Sequence, residues 1–77
     1  AEITLQLPLS ADLAAAVHGL REEVEDERLS DVFVSGLDGN ATVTIRAAAP
    51  DAAAALRLEG ELRLRAHTRL RAIGVFG

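Results

Sequence analysis

Polar and apolar positions alternate from the start of the chain. In Glu2-Ile-Thr-Leu-Gln-Leu7 the side chains of Ile3, Leu5 and Leu7 fall on one face of a strand. Pro8 stops the alternation, and the period then changes. Leu13, Ala16, Val17, Leu20 and Val24 recur at helical spacing and form one apolar stripe. Ser10 is placed to cap that helix, with Asp12 in its first turn facing the positive end of the helix dipole. The acidic run Glu22, Glu23, Glu25, Asp26, Glu27 lies toward the negative end of the dipole. It is therefore expected to be solvated and to let the last turn fray.

A second alternating region follows. Asp31-Val-Phe-Val-Ser35, Leu37-Asp38-Gly39-Asn40 and Ala41-Thr-Val-Thr-Ile-Arg46 read as a hairpin. Asp-Gly between alternating segments suits a type I′ turn, whose central residues both need positive φ. Thr42, Thr44 and Arg46 then face one way, and Val43 and Ile45 the other. Pro50 and Asp51 open a second helix, with proline at its first position and an acid in its first turn.

Residues 56–66 fit two patterns. Leu56 to Arg65 alternates with period two, as a strand would. Against that, Glu59 with Arg63 and Glu61 with Arg65 are i,i+4 pairs in the order that favours a helix. Leu, Arg, Glu and Ala are strong helix formers, and only Gly60 interrupts residues 51–73. Helix is the better account, with Ala55, Leu62, Ala66, Leu70 and Ile73 on one side. The order is then β-α-β-β-α: one α+β domain over residues 1–77, a three-stranded antiparallel sheet with two helices on one face. The tail Gly74-Val-Phe-Gly77 would add a short fourth strand and complete a ferredoxin-like unit.

Composition narrows the functions. Seventy-seven residues lie near the small end of what folds alone, so support from a partner or second copy is expected. Uncovered sheet edges make a homodimer joined through strands the first expectation. The chain has no cysteine, which excludes disulfides and thiolate metal sites. His18 and His67 are too few and too far apart to suggest zinc. With no apolar run of spanning length and no basic-then-apolar leader, a cytoplasmic protein without a membrane partner is expected. Every basic residue is arginine, and Lys, Met, Trp and Tyr are absent. That narrow alphabet fits a GC-rich genome, or alternatively a designed chain.

Charge is uneven. Residues 1–38 hold nine acids and two arginines, a net of −7, and residues 39–77 hold three acids and six arginines, a net of +3. The simplest consequence is that the halves neutralise each other within the fold; the other is a molecule with two oppositely charged faces.

No catalytic constellation emerges. Ser10, Ser30 and Ser35 read as a cap and turn residues, and Gly36, Gly39 and Gly60 do not form a phosphate loop. No cofactor or metal is implied. Phe33 and Phe76, the only aromatics, are assigned to the core, which leaves none for stacking on bases. Arg57, Arg63, Arg65, Arg69 and Arg71 are candidates for contact with an RNA backbone, part of that set pairing instead with Glu59 and Glu61. These observations describe a protein that docks, not one that catalyses.

Several strings resemble a known family, the small Pcc-type subunit of the KEOPS complex, which makes threonylcarbamoyl-adenosine in tRNA. Leu5-Gln-Leu-Pro-Leu-Ser-Ala-Asp-Leu-Ala14 is similar to its opening strand, proline and Ser-led helix. Leu37-Asp38-Gly39 matches its hairpin, Ile45-Arg46-Ala47 the end of its third strand, and Asp51 with Ala55-Leu56-Arg57 the start of its last helix. Leu64-Arg65 matches a second Leu-Arg pair, while Glu61, Leu62 and Arg63 stand where the family shows Asn-Ser and an aromatic. The resemblance implies a non-catalytic subunit that self-associates through its sheet. It would lay its helices against a catalytic, ATPase-like subunit and reach tRNA indirectly. Leu56, Leu62, Leu64, Leu70 and Ile73 are then the candidate docking residues. The competing class is a ferredoxin-like regulatory domain that dimerises and senses a small ligand; it requires Gly74–Phe76 paired in the sheet and an inter-subunit pocket, whereas the KEOPS-type reading requires a continuous apolar surface across both helices. A structural module with no ligand is the third.

Overall fold

The computed structural model describes residues 1–75. Strand β1 (Glu2–Leu7) leads to helix α1 (Leu13–Glu23), then strands β2 (Asp31–Asp38) and β3 (Asn40–Arg46), and finally helix α2 (Ala52–Ala72). β3 lies at the centre of the sheet and pairs antiparallel with both neighbours, giving the order β1-β3-β2. This is the expected α+β architecture, with both helices on one face. The order is compatible with a ferredoxin-like unit, and among the described residues there is no fourth strand over the outer edge of β1. Gly74 and Val75 lie in a turn after α2, not in a strand, and the rest of the expected fourth strand, Phe76 and Gly77, lies outside the described residues.

Register explains which side chains are buried. Ile3 sits opposite Ile45, Leu5 opposite Val43 and Leu7 opposite Ala41, so these six share the helix-facing side of the sheet. Val32 joins them from β2, opposite Ile45. Against that layer pack Ala16, Leu20 and Val24 from α1 and its C-cap, and Leu62, Ala66 and Leu70 from α2. Leu13 and Val17 complete the predicted α1 stripe at the core margin. The helical reading of residues 56–66 is therefore the observed one. Leu62, Ala66 and Leu70 are buried while Leu64 and Thr68 between them are exposed, a pattern that a helix gives and that a period-two strand, which would turn all five to one face, does not.

Several local expectations shift. α1 is capped by Asp12, whose Oδ1 accepts from the Ala15 amide at 3.1 Å, and Ser10 lies in the preceding turn. Ala11 N–H donates to the Pro8 carbonyl, and this closed turn moves the helix start two residues along. Asp51 likewise caps α2 by accepting from the Ala54 amide at 2.8 Å, so it precedes the first turn and Pro50 lies outside the helix. In the hairpin only Gly39 is left-handed, at φ 71, so the turn is not type I′. Phe33 is not a core residue. Its pairing opposite Thr44 turns it to the open face of the sheet, where the Arg46 guanidinium lies 5.1 Å from its ring centroid. Ser35 is a bulge in β2, not a turn residue: Thr44 Oγ1 donates to its Oγ, which is also bonded to the Thr42 carbonyl.

Candidate docking surfaces

The acidic run after α1 is held, not frayed. Arg65 on α2 points its guanidinium into the turn that follows α1. Its Nε reaches Glu23 Oε2 at 3.1 Å, its Nη1 reaches Glu27 Oε1 at 3.0 Å, and its Nη2 reaches Asp26 Oδ1 at 2.8 Å. Nη2 also donates to the Glu23 carbonyl, one of the acceptors left open at the end of α1. Arg69 adds a bond from its Nε to Glu23 Oε1 at 3.2 Å. The hydrogen bond from Arg65 holds the Glu23 carboxyl below its ordinary value, with Arg69 reinforcing it, and the same arginine lowers Asp26. Arg65 itself is pushed further up, chiefly by its bond to Asp26.

This clamp reassigns two predicted RNA-contact residues. Arg65 and Arg69 are consumed inside the fold, and their partners are Glu23, Asp26 and Glu27, not the helix neighbour Glu61. The acidic first half and basic second half do neutralise each other here. Arg57, Arg63 and Arg71 lie exposed on α2 and make no ion pair among the described residues.

The predicted docking leucines also divide. Leu62 and Leu70 are fully buried and belong to the core. Leu56 and Leu64 are 71% and 68% exposed, and Ile73 is 42% exposed at the mouth of a cleft shared with Pro8 and Ser10. The exposed part of α1 is polar or small: Ala14, Ala15, His18, Glu22. Between the two helices the exposed apolar side chains are therefore limited to α2 and do not form a surface across both. His18 points outward and pairs with Glu22 at 3.4 Å. Among the described residues no group of three acids and histidines is placed to hold a metal, and no helix is long and apolar enough to cross a membrane.

The two sheet edges are treated differently. Arg21 of α1 caps the outer edge of β2, its Nε and Nη2 donating to the Val32 carbonyl at 3.2 and 3.0 Å. The bulge at Ser35 then breaks that edge. Both devices discourage strand addition. β1 carries no bulge and pairs in unbroken register with β3. Ala1 and Ala47 exchange hydrogen bonds in both directions, so Ile3, Leu5 and Leu7 also direct their amides and carbonyls to β3. Glu2, Thr4 and Gln6 direct theirs outward. The Glu2 amide is capped by Glu59 Oε2 of α2 at 3.2 Å, while among the described residues nothing bonds the backbone of Thr4 or Gln6. Sequence reasoning foresaw an open edge but not which one, because Arg21 and Glu59 act across elements. Comparison with protein families, curated proteins and solved structures found no match to this chain.

Proposed function

We propose that this protein is a non-catalytic accessory subunit that works by docking, first to a second copy of itself along β1. The observation that carries the reading is the open, bulge-free edge of β1 at Thr4 and Gln6, set against a β2 edge closed by Arg21 and a bulge. Adding an antiparallel strand there gives each free amide and carbonyl a partner and covers the half-buried Leu5. The exposed α2 face, with Leu56 and Leu64 among unpaired arginines, is the second surface. The family that the sequence resembles supplies its partner: the catalytic, ATPase-like subunit of a complex that forms threonylcarbamoyl-adenosine in tRNA. The ferredoxin-like regulatory alternative needs Gly74 and Val75 in the sheet, and they form a turn; the KEOPS-type partner needs an apolar surface across both helices, and it is limited to α2, so the open edge of β1 carries the docking reading by itself.

Sedimentation of the wild type beside Thr4→Pro tests the reading. The Thr4 amide has no partner within one chain, so proline there spares the fold but blocks strand addition. The expected result is a wild-type dimer at tens of micromolar and a folded Thr4→Pro monomer. A monomeric wild type, or a Thr4→Pro dimer, would refute self-association through β1. For the second surface, Leu64→Asp is expected to abolish co-elution with the purified catalytic subunit; unchanged co-elution counts against α2.

A further inference from the structure

We infer that the outer face of α2 is the seat for an acidic amphipathic helix of a different protein; this rests on the α2 docking proposed above. At about 100° per residue, Leu56, Arg57, Gly60, Arg63, Leu64 and Arg71 fall within one arc of about 120°. All six are exposed, and no acid falls in that arc. From Arg57 to Arg71 the strip runs about 21 Å along the axis, long and narrow as a helix is. Leu56, Gly60 and Leu64 stand in one i, i+4, i+8 row, so two leucines flank a dent at the glycine. A Cβ at Gly60 would meet nothing within 4 Å, so the chain's own packing does not require glycine there. In mid-helix glycine is the poorest helix former after proline. The dent lets a partner's side chain approach the α2 backbone.

Charge decides the occupant. Arg65 and Arg69 are neutralised by Glu23, Asp26 and Glu27, whereas Arg57, Arg63 and Arg71 make no ion pair among the described residues. Glu59, at one margin of the arc, is turned to the Glu2 amide. Three uncompensated cations therefore surround two exposed leucines, and their complement is an apolar row with carboxylates on its flanks. A second copy does not fit. A two-fold crossing at Gly60 sets Leu56 against the copy's Leu64, but it also sets Arg57 against the copy's Arg63, like against like. Nor does α1 offer acids in exchange: Glu22 pairs with His18, and Glu23 is held by Arg65 and Arg69. A polyanion fits no better. Nucleic acid would leave Leu56 and Leu64 in water, and the chain's net charge of −4 repels both it and an anionic membrane.

Two synthetic helices of about five turns supply the probe, one with a leucine row flanked by glutamates and one with those glutamates changed to lysines. Fluorescence anisotropy at low salt is expected to show the glutamate helix binding about tenfold tighter, the worth of three exposed ion pairs. Arg57→Gln/Arg63→Gln/Arg71→Gln, all at exposed positions, should keep the wild-type melt and lose that preference. Gly60→Gln should melt no lower than wild type yet weaken binding about tenfold, because its side chain fills the dent. Undiminished binding by Gly60→Gln would overturn the close approach at the glycine. A glutamate helix that binds no tighter than the lysine helix, or a triple variant that keeps the preference, overturns the inference. So does tighter binding of an oligothymidylate or of phosphatidylserine vesicles. Co-elution with the purified catalytic subunit separates this inference from the reading beneath it. If Leu64→Asp abolishes co-elution and the triple arginine variant does not weaken it, α2 docks without acids and only this inference falls. If Leu64→Asp leaves co-elution unchanged, both fall.

Discussion

Arg65→Gln probes the polar contact that ties α2 to the turn after α1. The substitution removes three charge-assisted bonds at 2.8–3.1 Å and the donor to the Glu23 carbonyl, and leaves Glu23, Asp26 and Glu27 facing one another. A hydrogen bond to a charged group is worth about 1.5–3 kcal/mol when sheltered, and an exposed ion pair contributes about 1 kcal/mol or less. Here Arg65, Glu23 and Glu27 are 21%, 25% and 22% exposed, and Asp26 is 68% exposed. Two partly sheltered bonds then dominate, at the low end of the range, for a total loss of about 2–3 kcal/mol. In a domain of this size that lowers Tm by roughly 10–20 °C. Thermal and urea melts by circular dichroism measure it. The pH dependence supplies the sharper check. Glu23 and Asp26 have depressed values in the folded state, so their stabilisation is present above the ordinary carboxylate range and is lost as pH falls through and below it. The gap between wild type and Arg65→Gln should therefore be full at pH 7 and narrow steadily below about pH 4. A loss under about 0.5 kcal/mol, or a gap that does not change in acid, would refute the clamp.

Gly60→Ala should raise stability by about 0.5–1 kcal/mol, since a Cβ there meets nothing within 4 Å and the helix gains propensity; a lower Tm would mean that α2 is not continuous. Leu70→Asp buries a carboxylate at a position 1% exposed and should cost about 4 kcal/mol or more, enough to unfold a chain this small, whereas Leu64→Asp should melt within about 0.5 kcal/mol of wild type. Equal melts for the two would contradict the division of α2 into a core face and a docking face.

The fold was largely legible because its signals are local. Alternation in β1 and β3, the stripe of α1 and the i,i+4 order in residues 59–65 each rest on a period that one element sets by itself. Both helix starts read two residues early from the sequence, since Ser10 and Pro50 are as good locally as the residues that won. What decided them was the turn closed between Ala11 and Pro8, and Asp51 reaching Ala54. Phe33 was misassigned because hydrophobicity argues for burial, while the register opposite Thr44 overrides it. The docking leucines mix two faces of one helix: Leu62 and Leu64, two positions apart, point about 200° apart, so the stripe that holds Leu62 at 0% exposure leaves Leu64 at 68%, and the family resemblance had grouped them regardless. The charge split did foreshadow the Arg65 clamp, yet nothing in the order of residues says which arginine enters the acidic turn.

The account stands or falls on the backbone of Thr4 and Gln6, and amide hydrogen exchange reads it directly. In one chain both amides face outward with no acceptor among the described residues, so at nanomolar concentration they should exchange at nearly the unprotected rate. At hundreds of micromolar, where β1 is paired with the partner's β1, both should become protected while the capped Glu2 amide changes little. Fast exchange at Thr4 and Gln6 at every concentration would contradict the claim that this edge is where the protein docks.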